Sequence, residues 1–272
     1  MLVELNIKHG LSSLSNIAST RLGVRTISNI ANIQSCQAYL NYSRQNNINI
    51  NSTLFRGTLY ELLAKQLMSS LLNCCSLTRI GGSFDQGIDI LGKWNLGHYW
   101  HALEPKPVNI NTTKLQFGSI RPLLKDSREY NDYHAIPQSE RHKQANLSLE
   151  NDINVLVQCK NYDTKIKPAT IREISGSYHH HVNTKQARSR TFMFLVSPRP
   201  LTYSALKIVD SLPIPMIHCK LSILKFEKGD IYSVSNWNGG ELEALYMNAV
   251  ARALLTGLNL ELEFEKLKSI NM

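Results

Sequence analysis

A chain of 272 residues with 30 Lys and Arg against 21 Asp and Glu, formally +9 at neutral pH, is long enough for one sizeable core with appendages rather than two equal domains. No apolar run approaches the ~18 residues of a membrane helix, and the five cysteines, at 36, 74, 75, 159 and 219, are odd in number and lack C-x-x-C spacing. Membrane-spanning, disulfide-framework and zinc-module classes therefore drop out, while the basic balance favours polyanions, whose phosphates Lys and Arg neutralise with release of counterions.

Up to Thr53 the basic residues are Lys8, Arg21, Arg25 and Arg44, Glu4 is the one acid, and Ser, Asn and Ile fill most of the rest. This is the composition of a mitochondrial transit peptide, with Arg25-Thr26-Ile27-Ser28 resembling a matrix-protease site; a disordered basic arm is the alternative. The expected organisation is a leader over 1–53, a main folded domain over 54–220 and a helical extension over 221–272. From Phe55, apolar residues at Leu59, Leu62, Leu63 and Leu67 recur at helical spacing. A short strand over Leu77 to Ile80, a turn-rich loop from Gly81 to Gly87 and a second strand over Ile88 to Trp94 follow.

Residues 95–152 carry mixed charge, several Asn and Pro and little periodicity, and read as an insertion with its own hairpin around Thr113 to Leu124 and a disordered portion over Ser127 to Asn146. Ile153 to Cys159 is expected to be a strand entering the interior. Pro168 opens a helix with Ile171, Ile174 and Tyr178 on its inner face. A buried strand over Thr191 to Val196, a helix over Thr202 to Asp210 and a strand over Ile214 to Cys219 complete the pattern. Asn238 to Leu258 reads as a closing helix, packed on the core or a partner.

Phosphodiester hydrolysis asks for a divalent ion that neutralises the scissile phosphate and polarises water, and such hard cations take oxygen ligands. Asp89 follows a glycine turn and sits in a strand, where a buried carboxylate is costly without a partner. Gln158 and Lys160 flank Cys159 at a strand end, so period-two alternation directs both to one face. Lys160 is suited to hold water or stabilise charge developing at phosphorus, Gln158 to orient the site, the Cys159 carbonyl to add a metal ligand, and Glu61 on the first helix to add a second carboxylate. Each has a plainer reading: Asp89 and Lys160 as a structural ion pair, Glu61 as a solvated helix residue, and Lys165, Lys167 and Arg172 as solvated surface rather than a phosphate-tracking face. Consecutive His179, His180 and His181 on a helix point apart and cannot share one ion.

Gly87-Ile88-Asp89, with Gly81-Gly82 and Asp85 ahead, then Val157-Gln158-Cys159-Lys160-Asn161-Tyr162, with Tyr60-Glu61-Leu62 upstream, resemble the active-site pieces of the Mrr-type branch of the PD-(D/E)xK nuclease superfamily. Arg172-Glu173 with Gly176, the Phe192 to Ser197 strand and Thr202 to Ala205 follow that family's order, so the likeness spans about residues 55–220. The leader, the insertion, Arg121-Pro122 and the final helix resemble a fungal mitochondrial family required for respiratory growth that carries such a domain. The resemblance implies an α/β fold: a restriction-endonuclease-like core with a mixed central sheet flanked by helices, a long insertion and a C-terminal helix. It implies a nuclease dependent on Mg²⁺ or Mn²⁺, a mitochondrial location and a role supporting respiratory growth; the substrate does not carry over from the resemblance, and mitochondrial DNA is the expectation that the location and the basic balance give. Asp89, Glu61, Gln158 and Lys160 would be catalytic, Asp89, Glu61 and Cys159 would hold metal, and Lys165, Lys167 and Arg172 would contact nucleic acid. Gln158 stands where many members have Asp or Glu, which removes one anionic ligand. Two alternatives stay open: a noncatalytic nucleic-acid-binding or scaffold protein that keeps the fold, and a homodimeric enzyme cutting branched DNA symmetrically.

Overall fold

The computed structural model describes residues 30, 32–80, 86–141, 147–224 and 231–270. The chain divides into units of residues 1–33 and 34–272; the first falls almost wholly outside the described residues, as does the Arg25 cleavage motif, and the second carries everything below. Helices α1 (Cys36–Gln45) and α2 (Thr53–Leu71) lead into strands β1 (Cys74–Arg79) and β2 (Ile90–Trp94). Helix α3 (Gly97–Ala102), a hairpin of β3 (Thr113–Leu115) and β4 (Gly118–Ile120), and helices α4 (Leu123–Asp126) and α5 (Arg128–Tyr133) follow. The rest is β5 (Asn154–Cys159), α6 (Pro168–His181), α7 (Lys185–Arg190), β6 (Thr191–Ser197), α8 (Tyr203–Ser211), β7 (Met216–Ile223), β8 (Gly240–Met247), α9 (Ala249–Leu254) and α10 (Leu260–Ile270).

Six strands form one mixed sheet in the order β1-β2-β5-β6-β7-β8. β5, β6 and β7 run parallel at its centre, with Gln158 opposite Leu195 and Val196 opposite Cys219, while the outer pairings are antiparallel. A parallel centre must be covered on both faces, and it is. On one face Leu156, Met193, Leu195 and Met216 pack with Ile171, Ile174 and Tyr178 of α6 and Ala205 and Val209 of α8. On the other, the Trp94 ring meets Phe192 and Phe194 edge-on at 5.3 and 5.2 Å. There its indole N–H donates to the Leu72 carbonyl just past α2 at 2.7 Å, and the Tyr60 hydroxyl of α2 donates to the Leu221 carbonyl, also at 2.7 Å.

Three expectations change. Helix α1 lies within the segment read as leader. Ser35 Oγ caps it by accepting from the Ala38 amide at 3.2 Å, Tyr39 stacks on Phe55 with centroids 5.4 Å apart, and the Cys36 thiol points at the Leu59 carbonyl. Burial pushes that thiol up to about 12. The folded part therefore begins before the boundary drawn at 53/54, because a polar helix whose apolar residues are few gives little periodic signal.

The portion read as disordered from Ser127 contains α5. The buried Ser127 hydroxyl donates to the Leu124 carbonyl at 2.9 Å and accepts from the Tyr130 amide at 3.2 Å, and Glu129 accepts from the Leu149 amide at 3.0 Å. Residues 142–146 of that portion lie outside the described residues.

The closing helix over Asn238 to Leu258 is instead strand β8 followed by α9. Glu, Leu and Ala favour helix in isolation, but the open edge of β7 captures 240–247 as its antiparallel partner, and tertiary pairing overrides weak propensity. Asn248 then caps α9 with Oδ1 accepting from the Ala251 amide at 3.0 Å.

Candidate functional site

Since β2 runs antiparallel to β5, the start of β2 lies beside the end of β5, and Asp89 comes against Cys159, the residue between Gln158 and Lys160. Asp89 precedes β2 yet continues its ladder: its amide donates to Val157 and its carbonyl accepts from Ile80, each at 2.8 Å. Its side chain, 9% exposed, then accepts the Cys159 amide through Oδ2 at 2.6 Å. A carboxylate oxygen thus stands where the next ladder carbonyl would be, a short charge-assisted bond that fixes the acid in the plane of the sheet. Gly87, at φ +78°, makes the turn before it; a Cβ there would come within 2.4 Å of Ser177 Oγ on α6.

Gln158 is 4% exposed, faces α6 beside Gly87 and Ser177, and its Oε1 has no hydrogen-bond partner among the described residues. An orphaned buried carbonyl oxygen costs about 1–3 kcal/mol and calls for a water or an ion. Lys160 extends the parallel ladder by donating its amide to Val196 at 2.8 Å. Its side chain is 15% exposed, with Nζ 3.6 Å from the Glu173 carboxylate on α6. The shared face expected for Gln158 and Lys160 is thus the α6 face.

Glu61 sits on the other side, on α2, bound to Arg79 of β1 at 3.2 Å with both side chains largely covered. It is close enough to Cys159 to act on it: burial first, then the negative charges of Asp89 and Glu61, hold the Cys159 thiol well above its ordinary range, with Lys160 opposing. The Cys159 side chain alternates with those of Gln158 and Lys160 and so lies on the opposite face of β5, and what the residue can offer the junction is its carbonyl. Among the described residues no cluster of three or more His, Cys, Asp or Glu is arranged to hold a metal ion. The oxygen donors of Asp89 and Gln158 are the kind a hard cation accepts. One carboxylate with neutral oxygens suits an ion such as Mg²⁺, which keeps waters and takes further oxygens from a phosphate.

Lys165, Lys167 and Arg172 are exposed on the β5–α6 connection and the start of α6. This connection is fastened by Ile166, whose amide donates to Pro200 at 3.0 Å and whose carbonyl accepts from Thr202 at 2.9 Å. Sequence reasoning quoted Glu173 only as part of the family's order, with no role, and did not single out Arg79 or the pair formed by Ser197, which ends β6, and His218 within β7. Nothing in the spacing marks the first two, since a Glu on an exposed helix and an Arg ending a strand are ordinary. Ser197 Oγ lies 2.8 Å from His218 Nε2 and donates to the Arg199 carbonyl at 2.7 Å. Burial, with Lys220 adding to it and the Arg199 backbone opposing, brings His218 from its ordinary 6.5 down to about 4. The imidazole is therefore neutral and donates Nε2–H to the serine.

The fold and site define a mixed-sheet α/β protein in which a carboxylate, a carboxamide and a lysine converge where an antiparallel strand meets the end of a parallel one. The chain belongs to the family described as Required for respiratory growth protein 7, whose model matches residues 52–255. Relatives named Required for respiratory growth protein 7, mitochondrial, include that of Vanderwaltozyma polyspora, 30% identical over 88% of this chain and 89% of the relative. That of Zygosaccharomyces rouxii is 31% identical over 82% and 86%, and that of Saccharomyces cerevisiae strain S288c 30% identical over 91% and 93%. The protein is mitochondrial, as these relatives are named. No solved structure matches the chain.

Proposed function

We propose that this protein is a metal-dependent nuclease of the PD-(D/E)xK type with a restriction-endonuclease-like core, hydrolysing phosphodiester bonds of mitochondrial DNA in support of respiratory growth. The observation that carries it is the convergence of Asp89, Gln158 and Lys160, three non-adjacent polar groups brought to one strand junction, with an unsatisfied buried oxygen among them. Asp89, the Cys159 carbonyl and Gln158 Oε1 would hold Mg²⁺ or Mn²⁺, and the ion would supply charge neutralisation at the scissile phosphate. Glu61 would join only by releasing Arg79. Lys160 presents an ammonium near the reacting phosphate, where it orients water and stabilises the charge that develops. Lys165, Lys167 and Arg172 supply exposed cations along which a backbone can track.

The test is cleavage of linear, circular, single-stranded and branched DNA by the purified full chain with Mg²⁺, Mn²⁺ or EDTA. Lys160→Ala and Asp89→Asn each lower the rate by at least about 10²-fold, the usual cost of removing one group that stabilises developing charge, while circular dichroism and Tm stay near the parent's. Full activity in either variant overturns the assignment. The engagement of Glu61 by Arg79 and the presence of Gln158 favour a second reading, a noncatalytic DNA-binding protein. That reading predicts DNA binding unchanged by EDTA, and no cleavage by the parent or by Lys160→Ala.

A further inference from the structure

Beyond the strand junction, a second polar feature occupies the same edge of the sheet. A cavity of about 210 Å³ opens past the ends of β5 and β6 and beside the last residues of β7, lined among others by Asn161, Asp163, Arg199, Lys220, Tyr232 and Glu243. Asn161 follows Lys160 directly in the chain, so one wall of the cavity continues from the candidate catalytic lysine. From β5, which ends at the lysine, to β7, which carries Lys220, are two strand spacings, about 10 Å. Open sheets hold ligands outside the carboxyl ends of their strands, where this cavity lies.

The chemistry of the lining is specific. Two cations, Arg199 and Lys220, are matched by two carboxylates, Asp163 and Glu243, and Lys220 is ion-paired with Glu243. A phosphate entering here would face both carboxylates, so the charge balance disfavours a plain anion site. What remains is an alternation of donors and acceptors, to which the Asn161 amide adds its oxygen and the N–H left after its nitrogen donates to the Arg56 carbonyl at 3.4 Å. Tyr232 adds an aromatic wall, its ring set by the edge of Phe55 at 5.7 Å and by the Arg56 guanidinium at 5.3 Å. The cavity is smaller than the about 300–1,000 Å³ of sites for drug-sized molecules, so it suits one flat ring system. It is also braced from behind: the neutral His218 holds Ser197, and Ser197 holds the carbonyl of Arg199, so the turn that aims Arg199 is fixed before any ligand arrives.

We infer that this cavity is a base pocket, which receives one unpaired nucleobase of a strand whose backbone passes the Asp89–Lys160 junction. It reads the base by hydrogen bonds from Arg199, Asn161 and the carboxylates, with Tyr232 as its aromatic wall. This rests on the nuclease reading for the path of the strand, and it deepens it: the substrate is single-stranded, frayed or branched nucleic acid, because a base inside a duplex cannot leave its stack without cost.

Binding and cleavage are measured separately. In EDTA, the ¹⁵N-labelled full chain is titrated with deoxyadenosine, deoxycytidine, deoxyguanosine and thymidine, and in parallel with inorganic phosphate and deoxyribose 5-phosphate. Nucleosides are expected to move the amide signals of Asn161 and Lys220, with Arg199→Gln and Asp163→Asn each weakening this at least tenfold; Asp163 is exposed, so its variant folds. Signals that stay still with every nucleoside, or move equally with phosphate, overturn the pocket. The cleavage assay reads the nuclease on its own. Base binding without cleavage leaves the pocket and removes the nuclease, whereas cleavage with a preference for uninterrupted duplex removes the pocket alone.

Discussion

Gly87 stands at φ +78° with the space for a Cβ taken by the Ser177 hydroxyl, so two penalties meet in one residue. Gly87→Ala should destabilise by about 1–3 kcal/mol, the cost of holding a side-chain-bearing residue in that region. In urea unfolding, adding Ser177→Ala should recover the steric part and leave the backbone part; full recovery would mean that the backbone carries no strain. His218 makes a prediction of another kind. Its folded value, about 4, lies below its ordinary 6.5, so between these two the unfolded chain binds the proton and the folded one does not. This contribution to stability is complete above pH 6.5, is lost as pH falls toward 4 and levels off below; the displacement corresponds to about 3 kcal/mol. Urea midpoints from pH 7 to 4 should show this slope in the parent and a shallower one in His218→Gln. Equal slopes would place the acid sensitivity elsewhere.

At the scale of elements, Asn248 joins three of them. Its Oδ1 accepts from the amides of Met216 and Ala251 at 3.1 and 3.0 Å, and its Nδ2 donates to the carbonyls of Val209 and Ile214 at 3.1 and 2.9 Å, all buried. Asn248→Ala removes the partner of the Met216 and Ala251 amides and of the Ile214 carbonyl, while the Val209 carbonyl keeps the Leu212 amide at 3.3 Å, and should cost about 3 kcal/mol, read as a fall in Tm; Asn248→Asp, which keeps the acceptor, should cost less. The same residue illustrates what the sequence discloses. Strongly patterned elements were legible: Phe55 to Leu67 as a helix, Pro168 opening another, and the apolar run from Thr191 as a buried strand. That Asp89 belongs with Gln158 and Lys160 rests on the family resemblance, since the glycine turn before an acid and the Gln-x-Lys at a strand end are local signals that do not by themselves set β2 beside β5. β8 was not legible, since Glu241 to Met247 reads as helix until β7 offers an edge, and it is the cap made by Asn248, visible only in the structure, that separates this strand from α9. Nor were the Glu173 and Arg79 pairings, which join residues 13 and 18 positions apart across different elements.

At the scale of the molecule, the insertion and the C-terminal helices form one cluster. Tyr99 of α3 meets Phe264 of α10 with centroids 6.4 Å apart, and Gly257, at φ +92°, leaves room for Leu124 and Ile110. Phe264→Ala should cost about 3 kcal/mol as a large-to-small change in a buried cluster. Hydrogen exchange should then quicken first in 97–133 rather than in β5 or β6; uniform quickening would mean that the cluster and the sheet open together. This arrangement also sets an order of assembly. Tyr99 and Phe264 are 165 positions apart, so in a chain that enters its compartment N-terminus first the insertion can lean only on partners near in sequence, Tyr99 on Trp94 and Trp100 on Tyr130. The last helix, remote from the strand junction, is then the piece that seals the cluster and ends its exposure to whatever else binds apolar surface.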